Sequence, residues 1–175
     1  MLVGIVNFNR YGEPDTLLNV LRNMGHLAFV IKPDSSTEFI KKSSIKHWFF
    51  TGSSYDVLSP ISPQVLPEIC DIPNKSFFMI CYSMESALYN SGFVTKKKPR
   101  TNQRIFKINS VTDGSQNVWK SHDTYVPFSL NRRLRPIAVY KDEIMTVMYK
   151  GVLMTQWHPE RSVDGIEMIQ EWLQN

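Results

Sequence analysis

Cys81 closes a short apolar run, Phe77-Phe78-Met79-Ile80, and opens a stretch, Tyr82 to Tyr89, that reads as a helix. A reactive side chain held on such a tight strand-to-helix turn is the layout of a nucleophile elbow. A cysteine nucleophile needs a fraction of thiolate near neutral pH, and a helix N-terminus and a neighbouring imidazole both favour that anion. The imidazole is supplied by Gln156-Trp157-His158-Pro159-Glu160. Pro159 biases His158 to an extended conformation, and alternate residues of an extended segment project to one side. Glu160 is therefore expected to hold one ring nitrogen while the other serves Cys81. Nucleophile, base and orienting carboxylate together point to covalent acyl-transfer chemistry at a cysteine.

That chemistry also needs an oxyanion hole built from backbone N–H groups, one of them from the residue after the nucleophile. Here that residue is Tyr82. The second donor must come from another strand end. Gly52, after the apolar run His47 to Phe50, is the candidate, because glycine lets a backbone approach a ligand closely. Plainer readings stand beside these. A lone cysteine at an apolar strand end is usually a small buried hydrophobe, and that is the reading for Cys70. Gly52 could simply mark a turn, and His26 and His47 fall at strand starts, where structural or surface roles are common.

The elements that must position these groups follow from periodicity. Leu2 to Val6 reads as a buried strand. Pro14-Asp15 opens a helix whose Leu17, Leu18, Leu21 and Met24 share a face, and Gly25 sits where a C-terminal cap glycine belongs. A second strand, His26 to Ile31, is stopped by Pro33. This βαβ opening favours a parallel sheet with helices on its faces. Ser36 to Lys42 reads as a short helix and His47 to Phe50 as a third strand. Ser62-Pro63 resembles a helix start, with Pro73-Asn74 ending that helix. Phe77 to Ile80 is the fourth strand, and Ser91-Gly92 ends the helix after Cys81.

Beyond Gly92 the pattern turns to strands. They are Arg104 to Ile108, Asn117 to Lys120, Ile137 to Tyr140, Glu143 to Tyr149 and Val152 to Gln156, with turns at Lys141-Asp142 and Lys150-Gly151. Asp164 to Leu173 closes the chain as an amphipathic helix, with Ile166, Ile169, Trp172 and Leu173 on one side. The expectation is one α/β domain over residues 1–175.

Composition agrees with a globular protein. Of 175 residues, 42% are hydrophobic and 21% charged, enough for a substantial core. The 20 Lys and Arg against 16 Asp and Glu leave a net charge of +4, mildly basic and not by itself a sign of an anionic partner. Two cysteines without metal spacing fit a reducing compartment, so a cytoplasmic location is expected, without signal peptide or membrane span. No metal or nucleotide motif is visible, and neither a cofactor nor a nucleic-acid partner is expected. The basic run Lys96-Lys97-Lys98-Pro99-Arg100 reads first as a solvated loop, and otherwise as a docking site for an acidic partner or phosphate.

Four segments together resemble the class I glutamine amidotransferases. Thr51-Gly52-Ser53-Ser54 sits where that family has a glycine-rich oxyanion loop. Ile80-Cys81-Tyr82-Ser83-Met84-Glu85 is similar to its G-I-C-x-G-x-Q elbow. Val118-Trp119-Lys120-Ser121-His122-Asp123 resembles the V-W-x-S-H-G-D stretch of guanylate-synthesising members, and Gly151 to Glu160 resembles the G-V-x-x-x-Q-F-H-P-E ending. The resemblance implies a three-layer α/β sandwich of flavodoxin-like type, with a central, mostly parallel sheet and a small antiparallel section. It implies that Cys81 attacks the side-chain amide of glutamine, with His158 and Glu160 completing the triad. It places Gly52, Ser53, Tyr82, Glu85, Ser121 and His122 around the substrate. It also implies a separate synthetase subunit to receive the ammonia.

The chain departs from the family where the elbow is built. Met79 and Ser83 replace glycines that flank the cysteine, Glu85 replaces a glutamine that helps recognise substrate, Ser53 replaces a second loop glycine, and Asp123 follows His122 directly. A carboxylate at position 85 is expected to favour a substrate ammonium and repel a carboxylate. The alternatives are therefore a γ-glutamyl hydrolase acting on another amide, with which the His-Pro-Glu-Arg ending at Arg161 is compatible, and an amidotransferase-like binding module without catalysis.

Overall fold

A computed structural model of the chain describes residues 1–99, 104–110 and 114–175. The strands are β1 (Leu2–Val6), β2 (Leu27–Ile31), β3 (His47–Phe50), β4 (Ser76–Ile80), β5 (Lys96–Lys97), β6 (Ile105–Ser110), β7 (Gly114–Trp119), β8 (Thr124–Tyr125), β9 (Pro136–Tyr140), β10 (Glu143–Tyr149) and β11 (Val152–Thr155). The helices are α1 (Asp15–Asn23), α2 (Ser36–Lys42), α3 (Tyr82–Asn90) and α4 (Val163–Gln174). The main sheet runs β2-β1-β3-β4-β11-β10-β9-β6-β7, and β5 pairs with β8 in a small separate ribbon. Pairing is parallel from β2 to β11 and antiparallel from β11 to β7. The expected mostly parallel centre with an antiparallel section is therefore present.

The layers follow from the alternation of side chains along the central strands. Val3, Ile5, Phe49, Phe78 and Ile80 face α1 and α4, where Leu17, Val20, Leu21, Ile169 and Leu173 cover them. Val6, Trp48, Phe50, Phe77 and Met79 face the opposite way, toward Ile40 of α2 and Met84, Ala87 and Leu88 of α3. Each such fully buried side chain contributes roughly 1.5–3 kcal/mol. Gly4 makes the second layer possible, since a Cβ there would lie 2.2 Å from the Trp48 ring. A third cluster, Phe106, Ile108, Val118, Ala138, Met145 and Trp157, fills the antiparallel end.

Most expected elements are present within a residue or two. The helix expected from Ser62-Pro63 is not. The segment instead runs irregularly into a 3-10 turn at Pro67–Asp71. Two of its carbonyls are met by α3, while Leu66 O accepts from Ile69 N–H at 3.1 Å and Ser62 O from Gln64 Nε2 at 3.1 Å. Tyr82 Oη donates to Pro63 O at 2.5 Å and Asn90 Nδ2 to Val65 O at 3.2 Å. Ser86 Oγ accepts from Val65 N–H at 2.8 Å. In the basic run, Lys97 pairs with Asp56 at 2.5 Å and stays exposed, and Lys98 pairs with Glu143. Lys96 and Lys97 form β5, and Arg100 lies outside the described residues.

Candidate active site

The carboxyl ends of β3, β4 and β11 bring Gly52, Cys81 and His158 together, the edge at which open α/β sheets hold their ligands. Cys81 caps the N-terminus of α3 with φ 53° and ψ −107°. For a residue with a Cβ this left-handed backbone costs on the order of 1–3 kcal/mol, the strain of a nucleophile elbow. Cys81 N–H donates to Thr155 O at 2.6 Å, which carries the β4–β11 ladder one residue further. Three residues along that strand stands His158, whose N–H donates to Trp119 O at 2.8 Å. His158 is thereby tied to both halves of the sheet.

His158 is extended, with φ −99° and ψ 93°, but Pro159–Arg161 forms a 3-10 turn rather than continuing the strand. The expected side-chain pairing is made from that turn. Glu160 Oε1 lies 2.8 Å from His158 Nδ1, while the buried Oε2 has no partner among the described residues. The Trp119 ring meets the imidazole edge-on at 5.1 Å, and the Arg161 guanidinium lies over Trp119 at 4.3 Å.

Gly52 is wedged between His158 and Cys81. A Cβ there would lie 2.7 Å from His158 Cε1, 3.4 Å from Nε2 and 3.3 Å from Cys81 Cβ. A side chain at this position would therefore collide with the His158 ring. Cys81 is 1% exposed, and among the described residues its sulfur meets Gln156 Nε2 at 3.9 Å rather than His158. Burial, then the charge of Glu85, pushes the thiol well above its ordinary pKa, against the downward pull of Lys120 and the Tyr82 N–H. The expected favouring of a thiolate is therefore not met in this covered arrangement, because desolvation outweighs the helix N-terminus.

The departures from the elbow pattern have structural answers. Ser83, fully buried, donates its hydroxyl to Thr51 O. Met79 packs in the α3-side core between Phe50 and Met154 of the flanking strands. Glu85 is fully buried and lines no cleft, so the direct substrate contact expected of it is corrected. Gln156 Nε2 donates to its Oε1 at 2.6 Å and Thr124 Oγ1 to its Oε2 at 2.5 Å. His122 Nδ1 stands 3.2 Å from Oε1.

What reaches the cleft is His122. Its Nε2 lies 3.2 Å from Ser53 O, so both ring nitrogens face acceptors. Burial lowers the His122 pKa, but Glu85, Asp123 and the Ser53 carbonyl outweigh it and the net shift is upward. What the cleft meets beside position 85 is therefore the His122 ring, with the Glu85 carboxylate buried behind it.

The cleft, about 430 Å³, is lined by Gly52, Ser53, Ser121, His122 and His158 among the expected residues. Ser121 Oγ accepts from Arg104 Nη1 at 3.0 Å. Tyr82 lies below, its side chain turned away to Pro63. Asn9, Arg10, Tyr11, Ser54, Trp119, Asp123 and Arg161 complete the lining, and of these Asn9, Arg10 and Tyr11 were not singled out by sequence. Asn9 and Arg10 sit just past the carboxyl end of β1, which was a usable signal. Gln156 was signalled too, two residues before His158 on the same strand edge. Lys120 was not legible. It is buried, pulled down to about 8 by desolvation against the pairing with Glu143, and sits directly before Ser121.

No family model and no curated relative matches the sequence. Solved structures do match. A protein from Thermoplasma acidophilum, described as one of the subunits of a GMP synthase, superposes with a TM-score of 0.79 at 15% identity, over 99% of this chain and 92% of its own. A glutamine amidotransferase from Thermotoga maritima superposes with a TM-score of 0.65 at 14% identity, over 98% and 84%. Neither likeness extends to the sequence. The chain has the class I glutamine amidotransferase fold.

Proposed function

We propose that the chain is a cysteine-dependent amidohydrolase that cleaves the side-chain amide of glutamine and passes ammonia to a separate synthetase subunit. The observation that carries the reading is one point, Gly52. It has the strained Cys81 on one side and a His158 held by Glu160 on the other. Cys81 Sγ attacks the amide carbon, and the thiol proton passes through His158 Nε2 to the leaving nitrogen. Ammonia departs and a γ-glutamyl thioester remains on Cys81. Water then adds, His158 takes its proton, the carbon–sulfur bond breaks, and glutamate leaves with the thiol restored. Gly52 and Tyr82 N–H groups stabilise the oxyanion of both tetrahedral steps. Ser53, Ser121 and His122 hold the amino-acid end of the substrate in the cleft.

The separate synthetase is supported by the description of the Thermoplasma neighbour as one component of a synthase. A second reading is favoured by the cleft itself. Arg10 and Arg161 line it together with Asp123, and the two guanidinium groups suit a bulkier γ-glutamyl amide whose free carboxylates need partners. The experiment is an amide panel. Glutamine and several γ-glutamyl-amines are offered with and without co-purified partners, and glutamate and free amine are measured. Release from glutamine that rises with the partner supports the amidotransferase. Release from a γ-glutamyl-amine without partner supports the hydrolase, and no release from any substrate removes both in favour of a binding module.

A further inference from the structure

We propose that Ser83 and the His122–Glu85 ion pair are positioning groups that clamp the two carbonyls flanking Gly52, and so hold the Thr51–Ser54 loop closed over Cys81.

The contacts are specific. Ser83 Oγ donates to Thr51 O, and His122 Nε2 to Ser53 O at 3.2 Å. In a trans peptide the carbonyl and the following N–H point in opposite directions. Fixing Thr51 C=O therefore fixes the direction of Gly52 N–H, and fixing Ser53 C=O does the same for Ser54 N–H. The loop has further ties. Thr51 N–H donates to Val6 O at 3.1 Å, extending the β1–β3 ladder, Thr51 Oγ1 accepts from Phe8 N–H at 2.8 Å, and Ser53 Oγ from Tyr55 N–H at 3.1 Å. None of these engages the Thr51 or the Ser53 carbonyl.

Both clamp groups stand on the cysteine's own helix or answer to it. Ser83 is two residues and Glu85 four residues beyond Cys81. Glu85 Oε1 beside Nδ1 and Ser53 O beside Nε2 each favour a proton on the nitrogen they face, so the pair favours the imidazolium form. The other groups facing His122 are Thr124 Oγ1, Asp123 beside it, and Asp56 beyond the loop, itself paired with Lys97. All the charged groups among them are acidic and reinforce the cation. A Cβ at Gly52 would lie 3.3 Å from Cys81 Cβ, so the loop packs against Cys81, which is 1% exposed. Releasing either carbonyl loosens that packing.

The consequence for turnover rests on the reading in the preceding section, whereas the clamp does not. The test is therefore alkylation of the whole chain by iodoacetamide, with each cysteine followed by mass spectrometry. Cys70, buried at the far end of the sheet strands, is the internal reference for general loosening. Ser83→Ala and Glu85→Gln are each expected to speed modification of Cys81 by about tenfold, the scale of one lost buried or charge-assisted hydrogen bond. Cys70 is expected to keep its wild-type rate in both. An unchanged Cys81 rate in both variants, or Cys70 rising in step with Cys81, overturns the clamp. If one variant does not fold, the other decides. Glu85→Gln is also expected to remove the doubly protonated His122 signals from the imidazole nitrogen spectrum at pH 7, and their persistence counts against the pair. Steady-state kinetics adds the consequence: kcat falls about tenfold with KM little changed, since the donors act on the transition state. A wild-type chain that cleaves no γ-glutamyl amide would sink the catalytic reading and leave the alkylation result standing on its own.

Discussion

Two imidazole–carboxylate pairs flank Gly52, and they are built for opposite duties. His158 and Glu160 meet at 2.8 Å, and His158 Nε2 is left without a hydrogen bond among the described residues, facing the Gly52 and Cys81 side. His122 and Glu85 meet at 3.2 Å, with the carboxylate fully buried and both ring nitrogens engaged. A ring with one free nitrogen can take and return a proton. A ring with both nitrogens held is a fixed charge. The chemistry of a histidine is therefore set by what its second nitrogen touches, more than by having a carboxylate neighbour.

The comparison breaks most severely at the mobile proton. Removing His158 or Cys81 is expected to lower turnover by on the order of 10⁴-fold or more while leaving the fold intact, which kinetics and circular dichroism check together. Activity within tenfold of wild type in either variant would contradict the roles assigned. Glu160→Gln keeps the shape but leaves the ring unoriented, and a fall of about 10³-fold in kcat is expected. Glu85→Gln should do far less to kcat, about tenfold, because it releases a loop and touches no reacting atom. If Glu85→Gln proves as damaging as Glu160→Gln, the distinction between the two pairs is wrong.

Gly52→Ala tests the wedge itself. The new methyl would meet His158 Cε1 at 2.7 Å, and the rings or the loop must shift. A loss of stability of about 1–3 kcal/mol is expected by denaturant titration, together with lost turnover. The smallest effect is that of pH. The His122 pKa is raised in the folded chain, so its pairing contributes fully below the unfolded value near 6.5 and is lost as pH rises through the folded value. Wild-type stability should therefore decline across that window, and the decline should vanish in Glu85→Gln.

Much of this was legible in the sequence, for physical reasons that differ by region. The parallel half announced itself because buried strands are continuous apolar runs, and the turns around them carry Gly25, Gly92 and Gly151, all at positive φ. The placement of Cys81, His158 and Glu160 in one neighbourhood was legible because His158 and Glu160 are neighbours in sequence and Cys81 marks a strand end. The fate of Ser62 to Leu66 was not, since its hydrogen bonds come from Tyr82, Ser86 and Asn90, distant in the chain. Nor was the role of Glu85. Its partners Thr124, His122 and Gln156 arrive from the antiparallel half, and only the folded sheet shows that its charge is spent on an imidazole instead of on a substrate.

The central claim, that Cys81 carries the γ-glutamyl group, is tested most directly by trapping. The chain is mixed with glutamine or the best amide of the panel, quenched in acid, digested and read by mass spectrometry. The account predicts a γ-glutamyl thioester on Cys81, absent from Cys81→Ala, with Cys70 unmodified. Glutamate release without any adduct on Cys81, undiminished in Cys81→Ala, would contradict it.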